Sequence, residues 1–358
     1  MGETDLAPPF RIGWRPTSGD ARIASVRIRC LNPLGELQRH GYPVELYRPS
    51  RRGSYAAVVF SKVYDEATQA EAERLRAAGA WVVLDLCDNH FHDDIGSEAA
   101  RTAADRLRRM LGLADELVAS TEAMADVLRQ ETGGGTPVTV IGDAVEATIE
   151  GVRTLPWDRW RDHRGLARLT ERLRGGSAAR LVWFGSHGGP SGDHGMADLE
   201  AIRPLLESLH AEHPLSLTVI SNSAEKFDRL IRPWSLPTNY LAWSPATFLP
   251  ALRLHEIAVI PIRSNPFTRC KTNNRLATAL AAGLATVATA IPSYQAFASA
   301  CVLDDWSGGL RRYIFDPEAR RRAVALGQDL VRRDWTLPVI ADQWQRYFDG
   351  FRGRVPRR

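Results

Sequence analysis

Short, almost wholly apolar segments alternate with amphipathic helical segments along the chain, and this alternation limits the folds open to it. Clear examples are the segments 81–86 (WVVLDL) and 257–262 (IAVIPI). Strands that are apolar on both faces are typical of parallel sheets covered by helices on both sides. In the first half, the predicted strands are 10–14, 44–47, 56–60, 81–86, 116–119 and 138–141, and the predicted helices are 25–39, 66–78, 98–111 and 122–131.

A second run of the same kind begins after a segment that breaks the rhythm. Residues 149–178 are rich in arginine and tryptophan and end in Gly175-Gly176-Ser177, which is typical of an inter-domain linker. A length of 358 residues suits two domains. We therefore predict an α/β protein with two doubly wound, Rossmann-like domains, 1–148 and 179–335, facing each other across a cleft. The later predicted strands are 180–185, 217–221, 239–243, 257–262 and 285–289, and the later predicted helices are 317–332 and 337–351.

Composition and charge exclude several classes of protein. Forty-six basic residues are balanced by 42 acidic ones to a net charge of +4, which favours no nucleic-acid partner. The four cysteines are far apart, which disfavours a disulfide framework and a thiolate zinc site and fits a cytoplasmic location. No apolar run is long enough to span a membrane, and residues 1–9 lack the apolar core of a signal peptide. The basic tail 352–358 allows at most peripheral membrane contact.

The loop after the strand 257–262 carries the strongest signal for ligand binding. It reads Arg269-Cys270-Lys271-Thr272-Asn273-Asn274-Arg275 and leads into an alanine-rich helix predicted to begin at about Asn273. Free backbone amides and the positive dipole end of a helix make such a loop an anion site. The chain has only three lysines against forty-three arginines, so a lysine here is notable. The ligand expected at such a site is a phosphate or diphosphate. The alternative is a helix N-terminus with an ordinary capping side chain, where Lys271 and Arg275 are solvated and bind no ligand.

Lys271 and Arg275 are four residues apart, so on a helix both side chains could reach one anion. With the amides of Thr272, Asn273 and Asn274 they form the predicted diphosphate site. The change Lys271→Ala is expected to weaken nucleotide binding far more than it weakens folding.

Further candidates follow other predicted strands of the second half. Gly185, Ser186 and His187 open a loop with four more glycines up to Gly195, which either cradles a phosphate or forms a mobile surface loop. Asn222 and the pair Trp243-Ser244 end two more strands, where a base or ribose would dock. Trp243 either stacks on a base or packs in the core.

In the first half, the segment Asp88-Asn89-His90-Phe91-His92-Asp93-Asp94 follows the strand 81–86. His90 or Asp88 could orient a substrate hydroxyl or, in a reaction that inverts the configuration at the attacked carbon, remove its proton. A divalent metal is the weaker alternative, and a polar loop that caps the next helix is a further one. The loop Thr17-Ser18-Gly19-Asp20 after the first strand contains only one glycine and is a weak candidate site.

Several segments together resemble the GT-B-fold glycosyltransferases, of the retaining family-4 type or a close neighbour. The segments are 114–121 (ADELVAST), 140–146 (VIGDAVE), 183–185 (WFG) and 271–288, and the resemblance covers nearly the whole chain. It implies transfer of a sugar from a nucleotide-diphosphate sugar, without a cofactor or metal, to a saccharide, lipid or small-molecule acceptor. It also implies that the donor binds the second domain, and that the last helix, 336–358, packs back on the first. In a retaining reaction the leaving phosphate can take the acceptor's proton, so His90 would mainly hold the sugar.

The chain departs from that family at its usual charged positions. Ser186 stands where an arginine is usual, His194-Gly195 where a lysine-glycine pair is usual, and Thr278 where the second of two glutamates is usual. Lys271 and Arg275 would then supply the missing charge. Two rivals to the transferase remain open: a nucleotide- or sugar-binding protein of the same fold that lacks catalysis, and an epimerase or phosphorylase of that fold.

Overall fold

Two six-stranded parallel sheets organise a computed structural model that describes residues 10–92, 97–149, 151–152, 154–174, 178–188 and 194–354. The strands are β1 Ile12–Pro16, β2 Val44–Leu46, β3 Ala57–Ser61, β4 Trp81–Leu86, β5 Glu116–Ala119, β6 Val138–Val140, β7 Ala179–Phe184, β8 Leu215–Ser221, β9 Thr238–Ala242, β10 Ile257–Ile260, β11 Ala285–Ala288 and β12 Val302–Leu303.

Helices connect most of these strands in the described part of the chain. They are α1 Ala24–Val26, α2 Asn32–Arg39, α3 Glu66–Ala77, α4 Glu98–Leu113, α5 Glu122–Glu131, α6 Pro156–Arg174, α7 Arg203–Glu212, α8 Ala224–Leu230, α9 Phe248–Leu252, α10 Asn274–Ala281, α11 Trp306–Phe315, α12 Pro317–Asp334 and α13 Leu337–Asp349. A π-helical turn, Arg27–Leu31, joins α1 to α2, and short 3-10 turns span Pro49–Ser54, Gly195–Ile202, Thr268–Cys270 and Pro292–Phe297. None of the described helices is long and apolar enough to cross a membrane.

The chain divides into two units. The first comprises residues 1–144, 266–272 and 335–358, and the second comprises 145–265 and 273–334. The first unit therefore includes a short segment, 266–272, that lies in sequence between β10 and α10 of the second. We call this segment the crossing loop.

The first unit is built on the sheet β2-β1-β3-β4-β5-β6. Alternate residues of β3 point to opposite faces: Ala57 and Val59 pack in one buried cluster, Val58 and Phe60 in the other. The closing helix α13 covers the first of these faces, where Trp344 lies 4.6 Å from Trp14 between ring centroids. Burial of both faces explains why these strands are apolar throughout.

The second unit is built on the sheet β12-β11-β10-β7-β8-β9. Its order reverses between β7 and β10, because β8 and β9 extend the sheet on one side and β11 and β12 on the other. In doubly wound sheets, ligands bind beyond the carboxyl ends of the strands at such a reversal. The α/β class with two doubly wound sheets, predicted from the sequence, is confirmed.

Two predictions about the connections differ from the structure. The helix predicted at 25–39 is interrupted by the π-helical turn, and Pro33, at the start of α2, has no amide hydrogen to give the carbonyl of residue 29. The segment 149–178, expected as a linker, contains the helix α6, whose Leu169 and Leu173 are buried. Gly175 to Ser177 lie outside the described residues.

Candidate functional site

Arg275 lies at the reversal point of the second sheet. It is the second residue of α10, and its guanidinium carbon is 5.6 Å from the centre of the Trp183 ring, near the carboxyl end of β7. A methyl group placed on Gly185 would come within 3.3 Å of that guanidinium carbon. The absence of a side chain at residue 185 therefore lets the cation approach the backbone at the end of β7 closely.

The Nη1 atom of Arg275 is buried and makes no hydrogen bond with any residue that the structure describes. Buried polar atoms almost always have partners, because an unpartnered one costs free energy. Two more such atoms belong to other residues of this unit, Nδ1 of His187 and Oδ1 of Asp198. A guanidinium nitrogen without a partner, at the point where the strand order of the sheet reverses, is suited to binding an anion.

The loop after β7 is held in place from both sides. The His187 amide donates to Oδ1 of Asn222 at 3.0 Å, and the buried Lys226 donates from Nζ to the His187 carbonyl at 2.8 Å. The Ser221 hydroxyl donates to the Gly185 carbonyl at 2.8 Å. Lys226 was not identified from the sequence, although it is one of only three lysines in the chain.

Two glycines close the base of the same loop. Gly188 and Gly195 have positive φ angles of 81° and 72°. A methyl group on Gly188 would lie 2.2 Å from the carbonyl oxygen of His194, so the two ends of the loop touch. The residues between them, Gly189 to Asp193, lie outside the described residues.

Asp198 is a second charged residue that sequence reasoning missed. Burial raises the pKa of its carboxyl group, while a hydrogen bond from the Gly195 amide, 3.0 Å long, and the charge of Arg275 act to lower it. Asp198 therefore balances part of the Arg275 charge. No spacing in the sequence relates the two residues, which are brought together only by the fold.

The remaining candidates of the second unit have mixed outcomes. Trp243 is half-buried and packs on Phe248, with ring centroids 6.3 Å apart. Ser244 is buried, and its carbonyl accepts from the Phe248 amide at 2.9 Å, so it belongs to the turn that leads into α9. Asn273 stands at the cap position of α10, but its side chain makes no capping hydrogen bond, and Asn274 is the first helical residue.

In the first unit, two of the three lysines contact one carboxylate. Asp88 follows β4 and Lys62 follows β3, and Lys62 forms an ion pair with Oδ2 of Asp88. The Lys271 ammonium, from the crossing loop, is 2.6 Å from Oδ1. The Asp88 side chain is 13% exposed, so the pairing is largely shielded from water. Burial alone would raise the pKa of Asp88, yet Lys271 and Lys62 hold it well below its usual value.

His90 lies beside this cluster. Its Nδ1 shares a 2.8 Å hydrogen bond with the Tyr64 hydroxyl, and its Nε2 is 3.9 Å from Oδ2 of Asp88. Its ring stacks near Phe267, whose face also carries the Lys271 ammonium at 4.1 Å from the ring centre. Burial, and then the charge of Lys62, lower the pKa of His90 against the opposing effect of Asp88. The imidazole is therefore neutral at pH 7.

The crossing loop is fixed to the first unit along its length. Asn89 Nδ2 donates to the Pro266 carbonyl at 3.2 Å, and the Thr121 hydroxyl donates to the Cys270 carbonyl at 3.2 Å. The Thr272 side chain is hydrogen-bonded to the buried Asp143, which also pairs with Arg29 at 3.2 Å. Lys271 is thus placed by its neighbours in sequence as well as by Asp88.

One premise of the predicted anion site is wrong. Lys271 does not share a helical face with Arg275, because α10 begins at Asn274 and Lys271 has an extended ψ of 145°. Its ammonium donates a hydrogen bond to Asp88, in the first unit, whereas Arg275 belongs to the second unit. The Thr272 side chain is likewise occupied by Asp143.

Two weaker signals can also be placed. Asp20 of the loop Thr17–Asp20 forms a bidentate ion pair with the exposed Arg22. The metal alternative for His90 and His92 depended on Asp93 and Asp94, which lie outside the described residues. Among the described side chains, no three His, Cys, Asp or Glu residues are grouped as metal ligands.

Comparison with known proteins adds information on the fold. No protein-family model matches the chain. No curated protein sequence matches it either. The structure is similar to that of HepE from Anabaena in complex with UDP, with a TM-score of 0.64 and 14% sequence identity over 95% of this chain and 100% of that one.

Two further solved structures are similar over most of the chain. Sucrose-phosphate synthase from Thermosynechococcus elongatus has a TM-score of 0.66 and 13% identity, covering 96% of this chain and 100% of its own. The trehalose-6-phosphate synthase OtsA has a TM-score of 0.60 and 13% identity, covering 91% and 76%. The two parallel six-stranded sheets and these similarities show that the chain has the GT-B fold of glycosyltransferases.

Proposed function

We propose that the protein transfers a sugar from a nucleotide-diphosphate sugar to an acceptor hydroxyl. The observation that carries the proposal is the buried, unpartnered Nη1 of Arg275 at the reversal point of the second sheet. The fold supports it, since HepE has been solved with UDP and with UDP-glucose. A nucleoside diphosphate placed there would supply an acceptor for the unpartnered Nη1 of Arg275.

In the second unit, each group has a distinct role in holding the donor. Arg275 neutralises the diphosphate, and the loop after β7, which Arg275 approaches at Gly185, lies beside it. Asn222 and Lys226 keep that loop in position through the two hydrogen bonds of His187. Trp243, half-buried at the end of β9, offers a ring for the base. Sharing of one diphosphate by Lys271 and Arg275 stays a prediction, as do the binding roles of Ser244, Thr272, Asn273 and Asn274.

Stabilisation of the leaving group is the main chemical contribution of Arg275. As the bond between the sugar's anomeric carbon and the diphosphate oxygen breaks, negative charge grows on the phosphate. A fixed cation in a partly water-free site stabilises that charge, typically by a few kcal/mol. The acceptor oxygen forms the new bond to the same carbon, and its proton passes to the departing phosphate. This retaining, metal-independent course needs no separate protein base.

In the first unit, we assign contact with the sugar or acceptor to His90. Because it is neutral, His90 can either accept a hydrogen bond from a hydroxyl at Nε2 or donate one, depending on what it shares with Tyr64. Asp88 is poorly suited to be a base, since two lysines lower its pKa and so make it a weak proton acceptor. We give it the role of fixing Lys62 and Lys271. The acceptor is a saccharide, a lipid or a small molecule, and a cytoplasmic location stays a prediction.

A direct test combines a panel of nucleotide sugars with three forms of the protein. Wild type should release a nucleoside diphosphate from at least one donor when acceptors are present. Arg275→Ala should release it far more slowly, whereas Arg320→Ala should act as wild type. Arg320 is a matched control because it is a half-buried arginine of the same unit that donates to the Tyr313 carbonyl at 3.0 Å. Equal rates in the two variants would contradict the role of Arg275.

A second candidate is a nucleotide-binding protein that does not turn over. It is favoured by the pairing of Lys271 with Asp88 and by the presence of Ser186 where the family that the sequence resembles usually has an arginine. Binding of a nucleoside diphosphate, lost in Arg275→Ala and accompanied by no transfer from any donor, would establish it.

A further inference from the structure

Exposed apolar side chains are concentrated at one end of α6. Among the described residues, the exposed large apolar side chains are Ile23, Leu46, Leu155, Trp157, Trp160, Phe315 and Leu326. Three of these lie within residues 155–160, and Leu155 and Trp157 are the most exposed of all, at 69% and 68%. Such a cluster on a soluble domain usually marks a surface with a partner.

The two faces of α6 serve different purposes. The inner face carries the buried Leu169 and Leu173, and the helix packs along the edge strand β9. Gly165 permits this approach, because a methyl group there would already touch Leu241 at 3.4 Å. The residues of the outer face are exposed and follow one another at intervals of three or four in sequence, so they form a single stripe along the helix. Its members are Trp157, Trp160, Arg161, Arg164, Arg168, Glu171 and Arg172.

The outer stripe combines two tryptophans with a positive charge. It carries four arginines and one glutamate, and one of the arginines, Arg161, forms an ion pair with Asp158 at 2.9 Å, which leaves a net positive charge. The guanidinium of Arg164 lies 4.6 Å from the centre of the Trp160 ring, and the rings of Trp157 and Trp160 stack at 4.8 Å with an interplanar angle of 25°. Tryptophan beside arginine is the composition that suits the boundary between water and lipid headgroups.

We propose that this outer stripe of α6 binds the surface of an anionic lipid bilayer. The tryptophans would enter the headgroup region and the arginines would contact lipid phosphates. Single-stranded nucleic acid fits the same stripe less well. It needs separate aromatic faces on which bases can stack, whereas Trp157 and Trp160 stack on each other. The inference does not depend on the proposed sugar transfer.

The test is co-sedimentation of the full-length protein with two kinds of vesicle. Wild type should bind vesicles of phosphatidylcholine and phosphatidylglycerol, and should bind phosphatidylcholine alone much more weakly. Binding should fall when salt is raised from about 0.15 M to about 1 M, because the screening length drops from about 8 Å to about 3 Å. Arg164→Ala and Arg168→Ala should each weaken binding by about fivefold.

One double variant of the stripe and two control double variants separate the stripe from the effects of surface charge and apolar exposure in general. Trp157→Ala with Trp160→Ala should weaken vesicle binding severalfold, and Phe315→Ala with Leu326→Ala should leave it unchanged. Arg321→Ala with Arg322→Ala, on the exposed side of α12, should also have little effect; α12 packs against β11, in the opposite half of the sheet from β9.

Three results would overturn the proposal. The first is failure of wild type to bind anionic vesicles. The second is equal loss in the stripe variants and their controls. The third is a wild-type protein that binds neither kind of vesicle but binds a single-stranded oligonucleotide, with this binding lost in the variant that lacks both tryptophans. Because all the changed side chains are exposed, equal melting temperatures should show that each variant is folded.

Discussion

Replacing Asp88 by asparagine should destabilise the protein more than removing either lysine that contacts it. Asparagine keeps the shape of the side chain but leaves the ammonium groups of Lys62 and Lys271 facing each other without a counter-charge. Losing one partner of a buried ion pair typically costs about 3–5 kcal/mol. We expect the lower end, about 3 kcal/mol, because the Lys271 side chain is 39% exposed and water can solvate it.

The single lysine variants should cost less, because each leaves Asp88 with one cation. Lys271→Ala removes the more exposed partner and should cost about 1 kcal/mol. Thermal unfolding should place the melting temperature of Asp88→Asn about 6–12 °C below wild type, since about 1 kcal/mol corresponds to about 2–4 °C in a unit of this size. Added salt should recover part of this loss by screening the two lysines from each other.

The pH dependence provides a second check on the same variant. The pKa of Asp88 is lower in the folded protein than in the unfolded chain, so its contribution is present above the unfolded pKa of about 3.9 and is lost as pH falls through the folded value. The difference between wild type and Asp88→Asn should therefore shrink below about pH 4. Equal stability of the two at pH 7, or a cost for Lys271→Ala as large as that for Asp88→Asn, would refute the reasoning.

Three other predictions concern individual residues. Lys62→Ala should raise the pKa of His90 and move the acidic limb of the kcat/KM profile to higher pH. A pH–rate profile that does not move would argue against substrate contact by the neutral His90. Gly188→Ala should cost about 1–3 kcal/mol and weaken nucleotide binding, measured by unfolding and titration, because its φ is positive and the methyl group would meet the His194 carbonyl. Burial lowers the pKa of His255 to about 4, so stability should fall by about 3 kcal/mol as pH drops from about 6.5 to about 4. His255→Asn should lose that slope in pH-dependent unfolding.

Local patterns were sufficient to predict most of the fold. The strand 81–86 and the helix 122–131 match β4 and α5 to the residue, because a wholly apolar run and a capped amphipathic run are each decided by near neighbours in sequence. The helix α6 was missed, although Leu169 and Leu173 have helical spacing. Its outer stripe of tryptophan and arginine hid that pattern, since exposed tryptophans do not follow the usual division between apolar core and polar surface.

The candidate site depends on contacts that no local pattern contains. Asp88 and Lys271 are 183 residues apart in the chain, and only the tertiary fold brings them together. Arg29 is buried and paired with Asp85 and Asp143, yet it is one of forty-three arginines and has no distinguishing neighbours in sequence. The rarity of lysine was the one feature of the sequence that could point to residues of the candidate site. All three lysines hold a loop or a carboxylate at a candidate site, and only Lys271 was identified from the sequence.

Calorimetric titration of wild type and Arg275→Ala with UDP, GDP, TDP and ADP tests the central claim most directly. At least one nucleotide should bind wild type, and Arg275→Ala should bind it about 10–150-fold more weakly, which is the effect of losing about 1.5–3 kcal/mol from a charged hydrogen bond. Lys271→Ala, measured alongside, shows whether Lys271 shares the diphosphate. Failure of all four nucleotides to bind wild type, or equal affinity in Arg275→Ala, would contradict a donor site at the carboxyl end of β7.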